Sequence, residues 1–177
     1  MKLTWFGGTT TRIHVGGSIL VMDPQAAPQA IDAAELVSGA DRVIAGFGTD
    51  LAGADGSTWK PRKPPRLLDE GDGLPTVDAW CVGAEAVLVD VIGESPLLLV
   101  RGDVPPLGRW VESAVVVLFG HGERLTELGV AVLDNIPPRL LALAGDEVAV
   151  DIAITALRDR LEGTGLVSLE AGLALEI

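Results

Sequence analysis

The chain has 177 residues, of which 48% are hydrophobic, so it is long enough for one domain with a buried core and is not typical of a disordered protein. Its net charge is -12, which argues against nucleic acid and anionic membranes as main partners, because both attract positively charged surfaces. The single cysteine, Cys81, excludes an internal disulfide. Neither a signal peptide nor a run of about 18 apolar residues is recognisable, so we expect a cytoplasmic protein that does not cross a membrane.

The N-terminal part of the chain predicts short strands joined by tight turns. Strands are predicted at 3–6, 10–15 and 18–23. The Gly-Gly pairs between them are typical of turns in which the backbone needs a positive φ angle. A short helix at 31–38 and a further strand at 42–45 follow.

The middle of the chain, at about 53–76, is rich in proline and in basic residues. Proline removes a backbone donor and disfavours both a helix and a central strand, so an exposed loop is predicted here. The stretch KPRKPPR, next to Trp59, has the chemistry to bind an anion such as phosphate. A solvated loop is the preferred interpretation.

The second half of the chain predicts buried strands and then a helix. Short runs rich in Val and Leu predict strands at 84–92, 96–103, 114–120 and 139–145, which are typical of strands covered on both faces.

The last third of the chain adds a helix and a turn. A helix is predicted at 146–163, with Asp146 as its N-cap, because apolar residues recur on one face at helical spacing. The C-terminal residues predict a hairpin that turns at 170–172. Sheets covered by helices on their outer faces fit the whole pattern, and we expect a single domain over 1–177.

A nucleotide-binding loop is one interpretation of RVIAGFGTDLAG at 42–53, where Gly46 and Gly48 follow a predicted strand. The dinucleotide fingerprint needs a third glycine where Leu51 stands, and it needs a helix next. The residues that follow, AGADGSTWKPRKPP, cannot form a helix of useful length. An ordinary turn after a strand is the better interpretation.

A series of short motifs points to a known family. Trp5 and Gly7 stand in the first turn, Gly16 and Gly17 form the second, and the third strand ends in Asp23-Pro24. This order resembles the N-terminus of the metallo-β-lactamase superfamily, in its short branch of metal-dependent hydrolases. The resemblance implies an α/β (α+β) fold, a four-layer α/β/β/α sandwich.

The same resemblance implies that the metal ligands have been lost. Gly8 stands where the family has the histidine of its first turn. In the family's second motif, Gly46, Gly48 and Leu51 occupy three histidine places, and only the aspartate, Asp50, remains.

Later ligand positions follow the same pattern. Gly102 and Asp103 match the family's metal-bridging Gly-Asp turn, no histidine lies near Trp80, and Gly145 is the best match for the last ligand. The chain has two histidines, His14 and His121, and neither occupies a ligand position of the family.

These replacements predict that no intact zinc site, and so no metal cofactor, is present, because a catalytic zinc needs several converging nitrogen, sulfur or carboxylate ligands. In place of the metal site we expect a pocket, formed by the residues that stand at or near the family's ligand positions: Gly8, Gly46, Gly48, Leu51, Trp80 and Gly145.

Two hypotheses for function follow. The first is a degenerate, non-hydrolytic member of the family that binds an unknown small molecule or protein. The second is a metal-dependent or metal-independent hydrolase of unknown substrate that uses Asp50 and Asp103, with His121 as a further candidate. Homo-oligomerisation is compatible with either hypothesis. A structural role for both aspartates, as turn residues that accept backbone hydrogen bonds, is the simpler interpretation.

Overall fold

A computed structural model of the chain describes residues 1–48, 50–63 and 76–177. The described residues form two mixed β-sheets, three α-helices and three short 3-10 helices. The fold is therefore mixed α/β, in agreement with the predicted class. No helix among the described residues is both long enough and apolar enough to cross a membrane.

The secondary structure elements are as follows in chain order. The strands are β1 (Lys2–Gly7), β2 (Thr10–Val15), β3 (Ser18–Met22), β4 (Arg42–Ile44), β5 (Ala52–Gly53), β6 (Val77–Cys81), β7 (Ala86–Val91), β8 (Leu97–Val100), β9 (Val115–Phe119), β10 (Leu140–Ala144), β11 (Gly165–Ser168) and β12 (Ala174–Glu176). The α-helices are α1 (Ala33–Val37), α2 (Glu123–Asn135) and α3 (Glu147–Leu157), and the 3-10 helices are Pro24–Ala26, Arg109–Ser113 and Arg158–Arg160.

The first sheet has five strands in the order β12-β1-β2-β3-β4. Its pairs are antiparallel except for β3 and β4, which are parallel. The three predicted N-terminal strands are confirmed. Gly16 and Gly17 join β2 to β3 with φ angles of 57° and 82°, as the tight turn requires.

The second sheet has seven strands in the order β11-β10-β9-β8-β7-β6-β5. Strands β8 to β11 run parallel to one another, whereas β7 pairs antiparallel with both of its neighbours. Every residue of β7, β8 and β9 is buried, as the continuous Val- and Leu-rich runs predict.

The core consists of two apolar layers, one on each face of the second sheet. The layer between the two sheets includes Leu3, Ile13, Leu20, Val87, Leu99 and Val117. The layer on the other face includes Leu88, Leu98, Val116 and Leu118 of the sheet together with Leu125, Leu128, Ala149 and Ala153 of α2 and α3. Helices α2 and α3 therefore cover the outer face of the second sheet.

Helix α1 lies at the outer face of the first sheet. Arg12, whose side chain points away from the inter-sheet core, donates from Nη1 to the carbonyl oxygen of Leu36 at 2.8 Å and from Nη2 to that of Ser38 at 3.1 Å. These two bonds satisfy carbonyl groups at the end of α1, which have no partner within the helix.

The predicted C-terminal helix is confirmed, with an earlier end. The Asp146 carboxylate accepts from the Ala149 amide at 2.9 Å, as an N-cap does. The α-helix ends at Leu157 and not at residue 163. Glu162 and Gly163 have positive φ angles of 44° and 97°, which a continuing right-handed helix excludes.

The predicted C-terminal hairpin is wrong. A turn is present, since the Leu173 amide donates to the Glu170 carbonyl oxygen at 3.1 Å, but its two strands do not pair with each other. Strand β11 pairs parallel with β10 in the second sheet, and β12 pairs antiparallel with β1 in the first. The backbone of each strand thus finds its partners in a different sheet, and the turn connects the two layers.

The predicted loop at about 53–76 is described in part, and residues 64–75 lie outside the described residues. Gly53 belongs to β5, and Trp59 makes edge contacts with Trp80 and Trp110 at centroid distances of 5.9 and 4.9 Å. Arg62 forms ion pairs with two aspartates of β6 and β7. The described part of this segment is therefore anchored on the second sheet.

Candidate ligand-binding site

The carboxyl ends of three parallel strands meet at one edge of the second sheet. Arg101 follows β8, His121 comes two residues after β9, and Asp146 comes two residues after β10. Loops at the carboxyl ends of parallel strands are where ligands bind in open α/β sheets. The turn between β1 and β2, which contains Gly8, approaches the same edge from the first sheet.

A cavity of about 560 Å³ opens between these loops. Its aromatic lining residues, Trp5 and Phe119, are buried. Its basic residues, Arg101, His121 and Arg124, and the one acidic residue of its described lining, Asp146, are exposed. The cavity thus combines apolar walls with cationic side chains that water reaches. Its remaining lining residues are small or short: Gly7, Gly8, Thr9, Ala26, Gly120, Ala144 and Gly145.

The aromatic walls are held by contacts with the surrounding structure. The Trp5 indole Nε1 donates to the carbonyl oxygen of Gly8 at 3.0 Å, which fixes the orientation of the ring. Phe119 packs edge to face on Phe47, with 6.1 Å between the ring centroids. The Arg101 guanidinium lies 4.9 Å from the centroid of the Phe47 ring. This cation–π contact restrains Arg101, whose Nε also forms an exposed ion pair with Oε1 of Glu85 at 3.8 Å.

Arg124, in the first turn of α2, carries two exposed carboxylate partners. Its Nη2 lies 2.7 Å from Oδ1 of Asp103, and its Nη1 lies 3.0 Å from Oε2 of Glu127. The hydrogen bond that Arg124 donates to Asp103, followed by the one it donates to Glu127, raises the pKa of Arg124 above its ordinary value. The Asp103 side chain is 97% exposed, so water and salt screen this ion pair.

His121 and Asp146 face each other across the loops that precede α2 and α3. The two side chains approach to 3.8 Å between Nδ1 and Oδ2, a distance that supports an ion pair when the imidazole is protonated. Asp146 also caps α3, so its carboxylate is restrained. Both helices begin at the cavity, and their amino ends add a positive electrostatic potential to that of the arginines.

Two glycines of the cavity wall are required by close backbone approaches. A Cβ atom at Gly8, where φ is +53°, would stand 2.4 Å from the carbonyl oxygen of Ala26. A Cβ atom at Gly145 would stand 2.7 Å from the carbonyl oxygen of Gly120. At both positions a neighbouring carbonyl occupies the space that a side chain would need, so this backbone accommodates glycine and excludes larger residues.

The structure brings part of the predicted site together. Gly8, Gly145 and His121 line the cavity, and Asp103 reaches it through its ion pair with Arg124.

The other predicted site residues do not line the described part of this cavity. Trp80 packs against Trp59, and Leu51 packs against the inter-sheet core. A Cβ atom at Gly48 would stand 3.0 Å from the carbonyl oxygen of Ala84. Gly46 is next to the buried Phe47, and Asp50 is exposed with a φ angle of 55°.

Within the described residues, no three His, Cys, Asp or Glu side chains lie close enough together to hold a metal ion. Of the proposed hydrolytic residues, Asp103 pairs with an arginine and His121 faces Asp146. The expected absence of a zinc site stays a prediction.

Sequence reasoning missed the two arginines of the site and both aromatic walls. Phe119 ends the predicted strand β9, and Arg124 follows it shortly. Arg101 directly follows β8, a strand that was predicted over 96–103 but ends at Val100. These residues could have been predicted as site candidates from the strand pattern, since the loops at the carboxyl ends of parallel strands share one edge of the sheet.

No family model, curated protein or solved structure matches this chain. The resemblance of its N-terminal motifs to the metallo-β-lactamase superfamily therefore stays a prediction.

Proposed function

We propose that this protein is a non-hydrolytic binding protein for a small organic anion, a carboxylate or a phosphate monoester, which occupies the cavity at the carboxyl ends of β8 to β10. The observation that carries the proposal is the placement of Arg101 and Arg124 beside the buried rings of Trp5 and Phe119 in one cavity. The arginines would hold the anionic group, and the rings would contact an apolar part of the ligand.

The size and composition of the cavity support a small ligand. A volume of about 560 Å³ lies within the range of roughly 300–1,000 Å³ that is typical of small-molecule sites. Such sites combine mainly apolar walls with a few polar groups that orient the ligand. Trp5 and Phe119 provide the first component, and the two arginines provide the second.

The local charge supports an anion. The chain as a whole carries a net charge of -12, yet three of the cavity's charged residues, Arg101, His121 and Arg124, are basic or become cationic on protonation. Arg124 already binds carboxylates, because Asp103 and Glu127 are its partners. Exposed ion pairs contribute only about 0–1 kcal/mol to the stability of a protein. An incoming anion can therefore replace Asp103 as the partner of Arg124 at a small cost in free energy.

We further propose that the scaffold is a four-layer α/β/β/α sandwich of the metallo-β-lactamase type that has lost its zinc site, and that the protein acts in the cytoplasm. Helices on the outer faces of both sheets support this layering. The glycines at positions 8 and 145 support the loss of the site, because carbonyl groups now stand where histidine side chains would begin. Stoichiometric zinc in protein purified without chelators would contradict this part of the proposal.

Anion binding can be tested with a matched pair of probes, 3-phenylpropionate and its neutral amide, 3-phenylpropanamide, by calorimetry and amide NMR. We expect the anion to bind about tenfold more tightly than the amide, because tenfold corresponds to about 1.4 kcal/mol, which the two exposed arginines can supply together. Amide shifts should concentrate at Gly8, Gly120 and Gly145.

Three variants assign the binding to the cavity. Arg101→Gln and Arg124→Gln should each remove most of the preference for the anion. Arg139→Gln, an exposed arginine just before β10 and thus at the opposite end of that strand, should leave it unchanged. Equal affinity for the two probes, or an equal effect of all three substitutions, would overturn the proposal.

A further inference from the structure

A second cavity, of about 470 Å³, adjoins the proposed anion site. Trp5 and Gly145 line both cavities, so the two share a wall formed by an indole ring and a residue without a side chain. The start of α3 also separates them, since Asp146 lines the first and Glu147 the second. A ligand long enough to contact both cavities would therefore lie against Trp5.

The second cavity has the opposite charge. Its charged lining residues are Glu147, Asp151 and Glu170, and no basic side chain lines its described part. Val150, Ile154 and Leu169 supply apolar surface between these carboxylates.

Several other surface carboxylates of the chain are neutralised by an arginine. Glu85, Glu112, Glu127 and Asp134 each form an ion pair with an arginine of the chain. Within the described residues, no such pair involves Glu147, Asp151 or Glu170. A cation brought by a ligand would thus meet carboxylates that no basic side chain of this part of the chain neutralises.

We infer that the natural ligand is an extended zwitterion, with a carboxylate or phosphate at one end and an ammonium group at the other. The inference rests on the proposed function, because the anionic end would occupy the cavity of Arg101 and Arg124. The apolar middle of the ligand packs on Trp5, and the ammonium group donates hydrogen bonds to the carboxylates of the second cavity. Electrostatic complementarity at both ends sets the orientation of the ligand.

The test compares unbranched carboxylates with their ω-amino counterparts at three lengths: butanoate, hexanoate and octanoate against 4-aminobutanoate, 6-aminohexanoate and 8-aminooctanoate. Affinities are measured by calorimetry on the full chain. We expect at least one ω-amino acid to bind about fivefold more tightly than the carboxylate of equal length, which is the contribution of one partly exposed ion pair.

The double variant Asp151→Asn/Glu170→Gln assigns the effect to the second cavity. It should bring the affinity ratio of each pair close to one and leave the affinity for the plain carboxylates unchanged. The control is Glu35→Gln, an exposed glutamate of α1, which should change neither quantity.

The possible failures are distinguishable. Plain carboxylates that bind in an Arg124-dependent manner, with no ω-amino preference at any length, would overturn this inference and leave the proposed function intact. An ω-amino preference that survives the double variant would also overturn it. Absence of any Arg124-dependent binding by either series would contradict the proposed function and the inference together.

Discussion

Two arginines of this protein, Arg62 and Arg124, each contact two carboxylates, in very different surroundings. Arg62 reaches Asp78 at 2.6 Å and Asp90 at 3.0 Å, and Asp90 is only 1% exposed. Arg62 also donates to the carbonyl oxygens of Thr76 and Asp90. The partners of Arg124, Asp103 and Glu127, have side chains that are 97% and 61% exposed.

The difference separates a structural arginine from one that is available to a ligand. A buried carboxylate without a partner is strongly destabilising, so Asp90 needs Arg62 in the folded state. The exposed carboxylates around Arg124 are hydrated with or without it, so their pairing is easily exchanged. The basic stretch KPRKPPR had the chemistry of an anion site, but its Arg62 is already engaged with the sheet. The cavity of Arg124 is the better candidate.

The largest expected effect comes from removing the structural arginine. Arg62→Met should lower the free energy of unfolding by about 3 kcal/mol, because Asp90 is left buried and unpaired. Urea denaturation measures the change, and Arg139→Met serves as the exposed control with little effect. The affinity for 3-phenylpropionate should stay the same. A loss no larger than that of the control would mean that the two arginines do not differ as described.

A second substitution tests the rigidity of the cavity wall beside Arg124. Gly145→Ala should lower the free energy of unfolding by about 1–3 kcal/mol, because the added Cβ stands 2.7 Å from the Gly120 carbonyl oxygen. Gly53→Ala is the matched control, since a Cβ there has no neighbour within 4 Å. Equal stability of the two variants would show that the close approach at Gly145 is easily relaxed.

A third substitution asks whether the partners of Arg124 compete with a ligand. Asp103→Asn should strengthen binding of 3-phenylpropionate about threefold, because the anion no longer displaces a carboxylate, and it should leave the thermal midpoint unchanged. Asp134→Asn is the control, since Asp134 pairs with Arg160 in a similarly exposed setting. Weaker binding by Asp103→Asn would instead indicate that Asp103 itself contacts the ligand.

The smallest expected effect is on the pH dependence of stability, and it comes from Asp55, in the turn that precedes Trp59 and Arg62. Asp55 accepts hydrogen bonds from the side chain and amide of Ser57 and from the Thr58 hydroxyl, and these bonds lower its pKa below the ordinary value.

The sign of the pH dependence follows from that direction. The stabilisation by Asp55 is fully present above the unfolded-state pKa, about 3.9, and is lost as the pH falls through the lower folded-state pKa. A carboxyl NMR titration should find the Asp55 midpoint below 3.9, and Asp55→Asn should reduce the loss of thermal stability in this acid range. An Asp55 midpoint at or above the ordinary value would contradict the expectation.

Local patterns were sufficient wherever local forces decide the structure. The Gly16-Gly17 turn, the buried runs of β7, β8 and β9 and the Asp146 cap were all predicted, since each depends on neighbouring residues in the chain. Helix α2 was not predicted, although Leu125, Leu128 and Val132 recur at helical spacing and form its buried face.

Pairing over long distances could not be predicted in the same way. The C-terminal turn looks like a hairpin because its two strands are close in sequence. Their partners are β10 and β1, and β1 lies at the other end of the chain. A strand pairs where its apolar face can be buried and its backbone satisfied, and this depends on sheets that form elsewhere.

The sequence by itself determined the mixed α/β class, the N-terminal strands, the buried character of the central sheet and the cap of the last helix. Only the tertiary structure decided that Arg101, Arg124 and Trp5 share one cavity. These residues come from the end of β8, the start of α2 and the middle of β1, which are distant in sequence. They meet because the carboxyl ends of the parallel strands lie at one edge of the second sheet. The turn between β1 and β2 of the first sheet packs against that edge.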